Sequence, residues 1–113
     1  MGDDKQMKED LLKIINNYGI NNQLKKLNEE CYELIEAVKD YEYQKDACEN
    51  IGCKDIKLHL KKSKEHIEEE FADICVVLEQ FKAYYNLDND KIIEIMKQKI
   101  DRQLGRIEKE KNK

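Results

Sequence analysis

Apolar residues recur along this chain at steps of three and four positions, which is the period of an α-helix. The pattern predicts four helices, over residues of about 3–18, 22–48, 58–86 and 89–110. No run of alternating apolar and polar residues predicts a strand. The sequence therefore predicts an all-α antiparallel bundle of about four helices, in which the two long central helices carry paired acidic motifs.

Each predicted helix has one apolar stripe that we expect to be buried. In chain order, the stripes are Met7, Leu11, Ile14, Ile15 and Tyr18; Leu24, Leu27, Cys31, Leu34, Ile35, Val38 and Tyr41; Ile67, Phe71, Ile74, Leu78, Phe81 and Tyr85; and Ile93, Met96, Ile100, Leu104 and Ile107. The expected N-caps are Asp3 or Asp4, Asn21 or Asn22, and Asp88 or Asn89. Gly19 suits the left-handed residue that ends a helix.

The composition fits a single helical domain over residues 1–113, whose basic end, at about 108–113, we expect to fray. Charged residues make up 41% of the chain and Pro is absent, which favours long helices. The net charge of −4 argues against nucleic acid as a partner. No apolar run approaches the roughly 18–20 residues that span a membrane, and the N-terminus does not resemble a signal peptide. We therefore expect a cytoplasmic protein.

The four cysteines do not predict a metal site or a disulfide framework. Cys31 and Cys75 lie on or beside apolar stripes, where a free thiol acts as a small apolar side chain. Cys48 and Cys53 flank a predicted loop at about 49–57. Their spacing to the two histidines differs from that of zinc sites, so we expect reduced, unligated thiols.

Two segments of the predicted central helices match at a shift of forty residues. EECYELIEAV occupies residues 29–38 and EEFADICVVL occupies residues 69–78. When they are superimposed, Glu30 and Glu33 fall on Glu70 and Asp73, and the apolar residues Leu34, Ile35 and Val38 fall on Ile74, Cys75 and Leu78. The match suggests that both helices carry the same arrangement of two acids beside an apolar stripe.

The acids of this repeated arrangement are predicted to lie at the edge of each apolar stripe. At about 100° per residue, Glu30 and Glu70 fall about 40° to one side of the apolar residue that follows four positions later. Glu33 and Asp73 fall about 100° to the same side. If the two helices pack by their stripes, the four carboxylates converge on one place.

Four converging carboxylates repel one another, so they require a cation or large pKa shifts. Hard oxygen ligands select Mg²⁺ or Mn²⁺ over zinc, and Mg²⁺ also accepts phosphate oxygens. The alternative is a non-catalytic helical protein-interaction module, in which these acids form a solvated face. A carboxylate-bridged di-iron bundle is set aside because neither histidine follows a Glu by three residues.

The paired pattern, Glu29-Glu30-x-x-Glu33 followed by Glu70-x-x-Asp73, resembles the MazG-like family of all-α nucleoside triphosphate pyrophosphohydrolases over residues of about 18–106. The resemblance implies Mg²⁺-dependent hydrolysis of a (deoxy)nucleoside triphosphate to the monophosphate and pyrophosphate, with Mn²⁺ as a possible substitute. It implies that Glu30, Glu33, Glu70 and Asp73 hold the metal. Glu33 is the expected general base.

The resemblance also implies a substrate-binding set and a quaternary structure. The expected substrate ligands are Lys99, Arg102 and Gln103 on the last helix and Gln23 on the second. Where the family commonly has a Lys followed by an Asn one turn later, this chain has Lys99 and Gln103. The implied assembly is a homodimer or homotetramer, which would also cover apolar helix surface.

Overall fold

The computed structural model describes residues 2–51 and 55–112. Within them it contains four α-helices and no strand: α1 (Gly2–Tyr18), α2 (Ile20–Ile51), α3 (Ile56–Tyr85) and α4 (Asn89–Lys111). The predicted all-α bundle with two long central helices is confirmed. The second helix extends further, and the third begins earlier, than the sequence pattern predicts. Cys53 of the predicted loop lies outside the described residues.

The junction between α1 and α2 is tighter than predicted. Gly19 has a φ of 88°, so it is the left-handed residue that ends α1, as predicted. However, α2 already begins at Ile20, and the N-cap predicted at Asn21 or Asn22 is wrong. The Asn22 side chain instead donates a hydrogen bond of 2.7 Å to the backbone carbonyl of Tyr18. It thereby satisfies a carbonyl at the end of α1 that has no partner within that helix.

The other predicted helix starts have different outcomes. Asp88 caps α4 as predicted, because its side chain accepts a hydrogen bond of 3.2 Å from the backbone N–H of Lys91. Asp3 and Asp4 lie within the first turn of α1 rather than before it. There they still favour the helix, since their negative charges face its positive N-terminal dipole.

The two central helices pack antiparallel along one seam whose positions are separated by steps of four and three. On α2 these positions are Gln23, Leu27, Glu30, Leu34, Ala37, Tyr41 and Gln44; on α3 they are Leu60, Ser63, Ile67, Glu70, Ile74, Val77 and Phe81. All of them are buried or half-buried. This heptad spacing is typical of helices that pack like a coiled coil. Hydrogen bonds from Gln23 to Gln80 and from Ser63 to Gln44 fix the antiparallel register.

The buried face of the central helices differs from the predicted stripe. Ile35 is 52% exposed and Val38 is also exposed, whereas Ala37 and Val77 are buried. The predicted stripes were therefore only partly right: residues such as Leu34 and Ile74 lie in the seam, but the buried face as a whole is rotated towards the acids. Each central helix has two apolar faces, and the α2–α3 contact buries only one of them.

The first and last helices pack very differently. α1 lies mainly against α3, and its Ile15 is fully buried. α4 has no buried residue and is not part of the packing among α1, α2 and α3. The radius of gyration is 19.0 Å, against about 13 Å for a compact domain of this length. No described helix has a stretch long and apolar enough to cross a bilayer.

We predict opposite effects for alanine at two glycines. Gly19→Ala should destabilise the fold by about 1–2 kcal/mol, because an L-residue is strained in the left-handed conformation. Gly105→Ala, within α4, should stabilise it by up to about 1 kcal/mol through helix propensity. Neither new Cβ would meet an atom within 4 Å. Urea unfolding measures both effects, and a neutral Gly19→Ala would show that the turn does not require glycine.

Candidate functional site

The middle of the α2–α3 seam is acidic. Glu30 of α2 and Glu70 of α3 occupy seam positions and are 4% and 9% exposed. Glu33 lies one turn beyond Glu30 and is exposed. Each of these three residues offers one carboxylate oxygen, and the three oxygens lie within 4.8 Å of one another. The structure thus brings together three of the four acids predicted to bind metal.

Asp73, the fourth predicted acid, lies beside this cluster. It follows Glu70 by one turn of α3 and is exposed. It lines the same cavity as Glu30. Within the described part of the chain, it is not among the three carboxylates that form the tight group.

The acids differ in their electrostatic environments. Lys26 Nζ lies 3.0 Å from Glu30 Oε1. This hydrogen-bonded ion pair is the main reason that the pKa of Glu30 is lowered and that of Lys26 raised. For Glu70, burial and then the neighbouring Glu33 carboxyl raise the pKa. His66 Nδ1 is no nearer to Glu70 Oε1 than 3.9 Å. The charge of Glu70 is therefore the least stabilised in the cluster.

Two buried carboxylate oxygens have no hydrogen-bond partner among the described residues. They are the Oε2 atoms of Glu30 and Glu70. Burying an unpartnered charged oxygen is costly, and a bound cation would remove that cost. Because all the donors are carboxylate oxygens, the cluster fits a hard divalent cation such as Mg²⁺ or Mn²⁺.

A cavity of about 620 Å³ adjoins the acids. Its apolar wall includes Ile14 and Tyr18 from α1 and Val76 from α3. Lys25 and Lys26 of α2 add two cationic side chains. A cavity of this size accommodates a small-molecule ligand of roughly nucleotide dimensions. The site thus combines an acidic cluster, cations and an apolar wall.

The structure separates the residues that were predicted to bind substrate. Gln23 lines the cavity. Lys99, Arg102 and Gln103 are exposed on α4 and do not line it. Since α4 does not pack on the helices that form the cavity, a single chain does not bring these three residues to the acids.

Sequence reasoning missed Gln80 and the two lysines as cavity residues. Gln80 follows Asp73 by seven residues, just as Gln23 precedes Glu30 by seven. Residues seven apart lie on nearly the same helical face. A heptad step from Asp73 was therefore a signal that could have identified Gln80 as the counterpart of the predicted Gln23.

Residues 19–104 match the family model of the MazG nucleotide pyrophosphohydrolase domain. The chain belongs to this family. No curated protein and no solved structure gave a match. The part that matches the MazG model contains the acids, both glutamines and α4 as far as Leu104, whereas α1, which supplies one wall of the cavity, lies before it.

We predict that a divalent cation stabilises this MazG domain through Glu70. Because the pKa of Glu70 is raised, its ionisation disfavours the folded state at neutral pH. Glu70→Gln should therefore raise the melting temperature without divalent cations, and should abolish the further rise that Mg²⁺ causes in the wild type.

The measurement is thermal unfolding with and without Mg²⁺ at constant ionic strength. Glu69→Gln, a change of the exposed neighbouring residue, is the matched control and should keep the Mg²⁺ response. An unchanged Mg²⁺ response in Glu70→Gln would show that the cation binds elsewhere.

Proposed function

We propose that this chain is a Mg²⁺-dependent nucleoside triphosphate pyrophosphohydrolase, which converts a (d)NTP and water to a (d)NMP and pyrophosphate. The observation that carries the proposal is the pair of buried, unpartnered oxygens of Glu30 and Glu70 beside a nucleotide-sized cavity. Membership of the MazG family supports the reaction class. Mn²⁺ is the proposed substitute for Mg²⁺. The cytoplasm is the proposed compartment, since nucleoside triphosphates are available there.

In this proposal, Glu30, Glu33 and Glu70 hold the cation, and Asp73 adds a fourth carboxylate from the cavity wall. The cation supplies Lewis-acid chemistry, polarising a phosphate oxygen and lowering the pKa of a bound water. The buried positions of Glu30 and Glu70 keep their carboxylates fixed, because the seam packs around them.

Glu33 is the proposed general base. It is the exposed member of the cluster, so water can reach it. Glu30 is less suited to the role because Lys26 already engages its carboxylate. Glu70 is less suited because it is buried. A general base must lie within hydrogen-bond reach of the attacking water, which favours the accessible acid.

Cations are needed to bring a triphosphate to an acidic cluster. Lys25 and Lys26 stand on the cavity wall and offset part of the negative charge. We also propose Lys99, Arg102 and Gln103 as phosphate ligands. In a single chain they do not line the cavity, so this role depends on where α4 lies in the assembled protein.

We propose that the functional form is at least a homodimer, with a homotetramer as the larger possibility. The accessible surface of one chain is 9503 Å². A compact monomer of 13.5 kDa exposes only about 6500 Å². The excess of about 3000 Å² per chain, or about 6000 Å² for two chains, corresponds to the upper end of the total area that obligate interfaces bury.

The surface available for self-association is apolar. It comprises the second apolar face of the central helices and the stripe of α4. Its exposed members include Ile35, Val38, Phe71, Leu78, Ile100 and Leu104. A second copy of the chain offers the same apolar surface, as an isologous interface requires.

The alternative function, an interaction module with a solvated acidic face, has less support. That interpretation requires the acids to be hydrated. Glu30 and Glu70 are instead buried in the helix seam, where a carboxylate oxygen without a hydrogen-bond partner is costly.

We predict that wild-type protein releases pyrophosphate from at least one nucleotide in a panel of dNTPs and NTPs, and that release requires Mg²⁺. Glu70→Gln and Asp73→Asn should each lower kcat/KM by more than about 100-fold, since even outer-shell changes at metal sites cost about 10–100-fold. Glu69→Gln is the control and should retain activity. Circular dichroism verifies that each variant remains helical. Pyrophosphate at background level with every nucleotide would contradict the proposal.

We also predict that Ile100→Glu disrupts self-association, because it places a charge in the apolar stripe of α4. The matched control is Gln98→Glu, which adds the same carboxylate about 160° away around the helix. Sedimentation velocity should show oligomers for the wild type and Gln98→Glu and a shift towards monomer for Ile100→Glu. A monomeric wild type would overturn the proposed assembly.

A further inference from the structure

Two glutamines meet at the end of the α2–α3 seam, inside the cavity. Gln23 Nε2 donates a hydrogen bond of 2.7 Å to Gln80 Oε1. The two side chains are buried, with residue exposures of 6% and 2%. Both line the cavity together with Glu30 and Asp73. Amides are costly to bury compared with apolar side chains, so their presence here calls for a hydrogen-bonding role.

A second polar contact in the same seam provides a comparison. Ser63 Oγ donates a hydrogen bond of 2.9 Å to Gln44 Oε1 near the other end. Neither residue lines the cavity. That contact can serve only the helix register, whereas the Gln23–Gln80 pair both links the helices and forms part of the cavity wall.

The pair has more hydrogen-bonding capacity than its mutual contact uses. A primary amide has two N–H donors and a carbonyl that accepts two hydrogen bonds. The mutual bond occupies one donor of Gln23 and one acceptor site of Gln80. If both amides turn over, Gln80 donates to Gln23 and the bond is kept. The pair can therefore present either a donor or an acceptor to a ligand at the same place.

The position of the pair matches the length of a nucleotide. Gln23 precedes Glu30 by seven residues, and Gln80 follows Asp73 by seven, which separates the amides from the acids by about 10 Å along the helices. That separation is comparable with the one between the base and the pyrophosphate of an extended nucleotide. A triphosphate on the acids would leave its base near the amides.

We propose that the Gln23–Gln80 pair recognises the hydrogen-bonding edge of the nucleotide base. Because both amides can turn over together, the site accepts bases with either an amino or a keto group at that edge. The proposal rests on the function proposed above. A comparison of cytosine with uracil tests the proposal most directly, because the two bases have the same size and differ in the hydrogen-bonding groups at this edge. Wild-type protein should process dCTP and dUTP with kcat/KM values within about 10-fold of each other, because neither orientation of the pair leaves a buried group unpaired.

The decisive variant is Gln80→Glu. An ionised carboxylate only accepts hydrogen bonds, so the pair can no longer reverse and should favour the amino edge of cytosine. The ratio of kcat/KM for dCTP to that for dUTP should rise by about 10-fold or more, as expected for one hydrogen bond to a charged group. Gln44→Glu makes the same change in the same seam away from the cavity, and should leave the ratio unaltered.

A binding measurement separates this proposal from the reaction itself. Calorimetry with dCMP and dUMP should show the same change of preference in Gln80→Glu, even if the wild type hydrolyses no nucleotide. Gln80→Met, which keeps the side-chain volume, should weaken both monophosphates while leaving the affinity for inorganic tripolyphosphate unchanged. If Gln80→Glu does not fold, Gln80→Met still tests the proposal.

Two results would overturn the proposal. One is an unaltered cytosine-to-uracil preference in a folded Gln80→Glu variant, together with unaltered monophosphate affinity in Gln80→Met. The other is a wild type that binds no nucleotide. Absence of hydrolysis with nucleotide binding intact would instead count against the proposed reaction alone, and the binding preferences would then decide the role of the pair.

Discussion

The burial of two carboxylates in the α2–α3 seam is the constraint on which the rest of the structure depends. Glu30 and Glu70 occupy heptad positions where an apolar pair would stabilise the helices more. The seam tolerates them because apolar positions lie on both sides and polar pairs fix its register at both ends. The rigid packing of the helices thereby holds the acids in place for a cation.

The three acids of the cluster lie in different electrostatic environments. Lys26 stabilises the charge of Glu30 and lowers its pKa. Burial and Glu33 raise the pKa of Glu70. Glu33 remains open to water. The three acids, whose carboxylate oxygens lie within 4.8 Å of one another, thus comprise one that is paired with a lysine, one whose buried charge is costly, and one that water can reach.

The single chain leaves much of its apolar surface uncovered. The seam and α1 use one apolar face of the central helices, whereas the second face and nearly all of α4 stay exposed. Since a helix with few tertiary contacts gains little stability from packing, the stability of α4 in a single chain depends mainly on its own capping and helix propensity. The proposed self-association would cover this surface.

The sequence by itself determined the number of helices, the left-handed Gly19 and the cap at Asp88, because these depend on local periodicity and backbone preference. It also predicted that Glu30, Glu33, Glu70 and Asp73 converge, since a repeated pattern places equivalent residues on equivalent faces. The structure groups the first three of these acids tightly, and Asp73 lies beside them.

Only the tertiary structure decided which apolar face is buried, because each central helix carries apolar residues on two faces and the packing of the helices buries only one of them. In the folded chain, the buried face of α2 is the one that carries the acid, so that Glu30 is buried while Ile35 is exposed. The tertiary structure also paired Gln23 with Gln80, residues 57 positions apart in the chain. A local pattern cannot specify such a contact, since it exists only when two distant helices meet in one register.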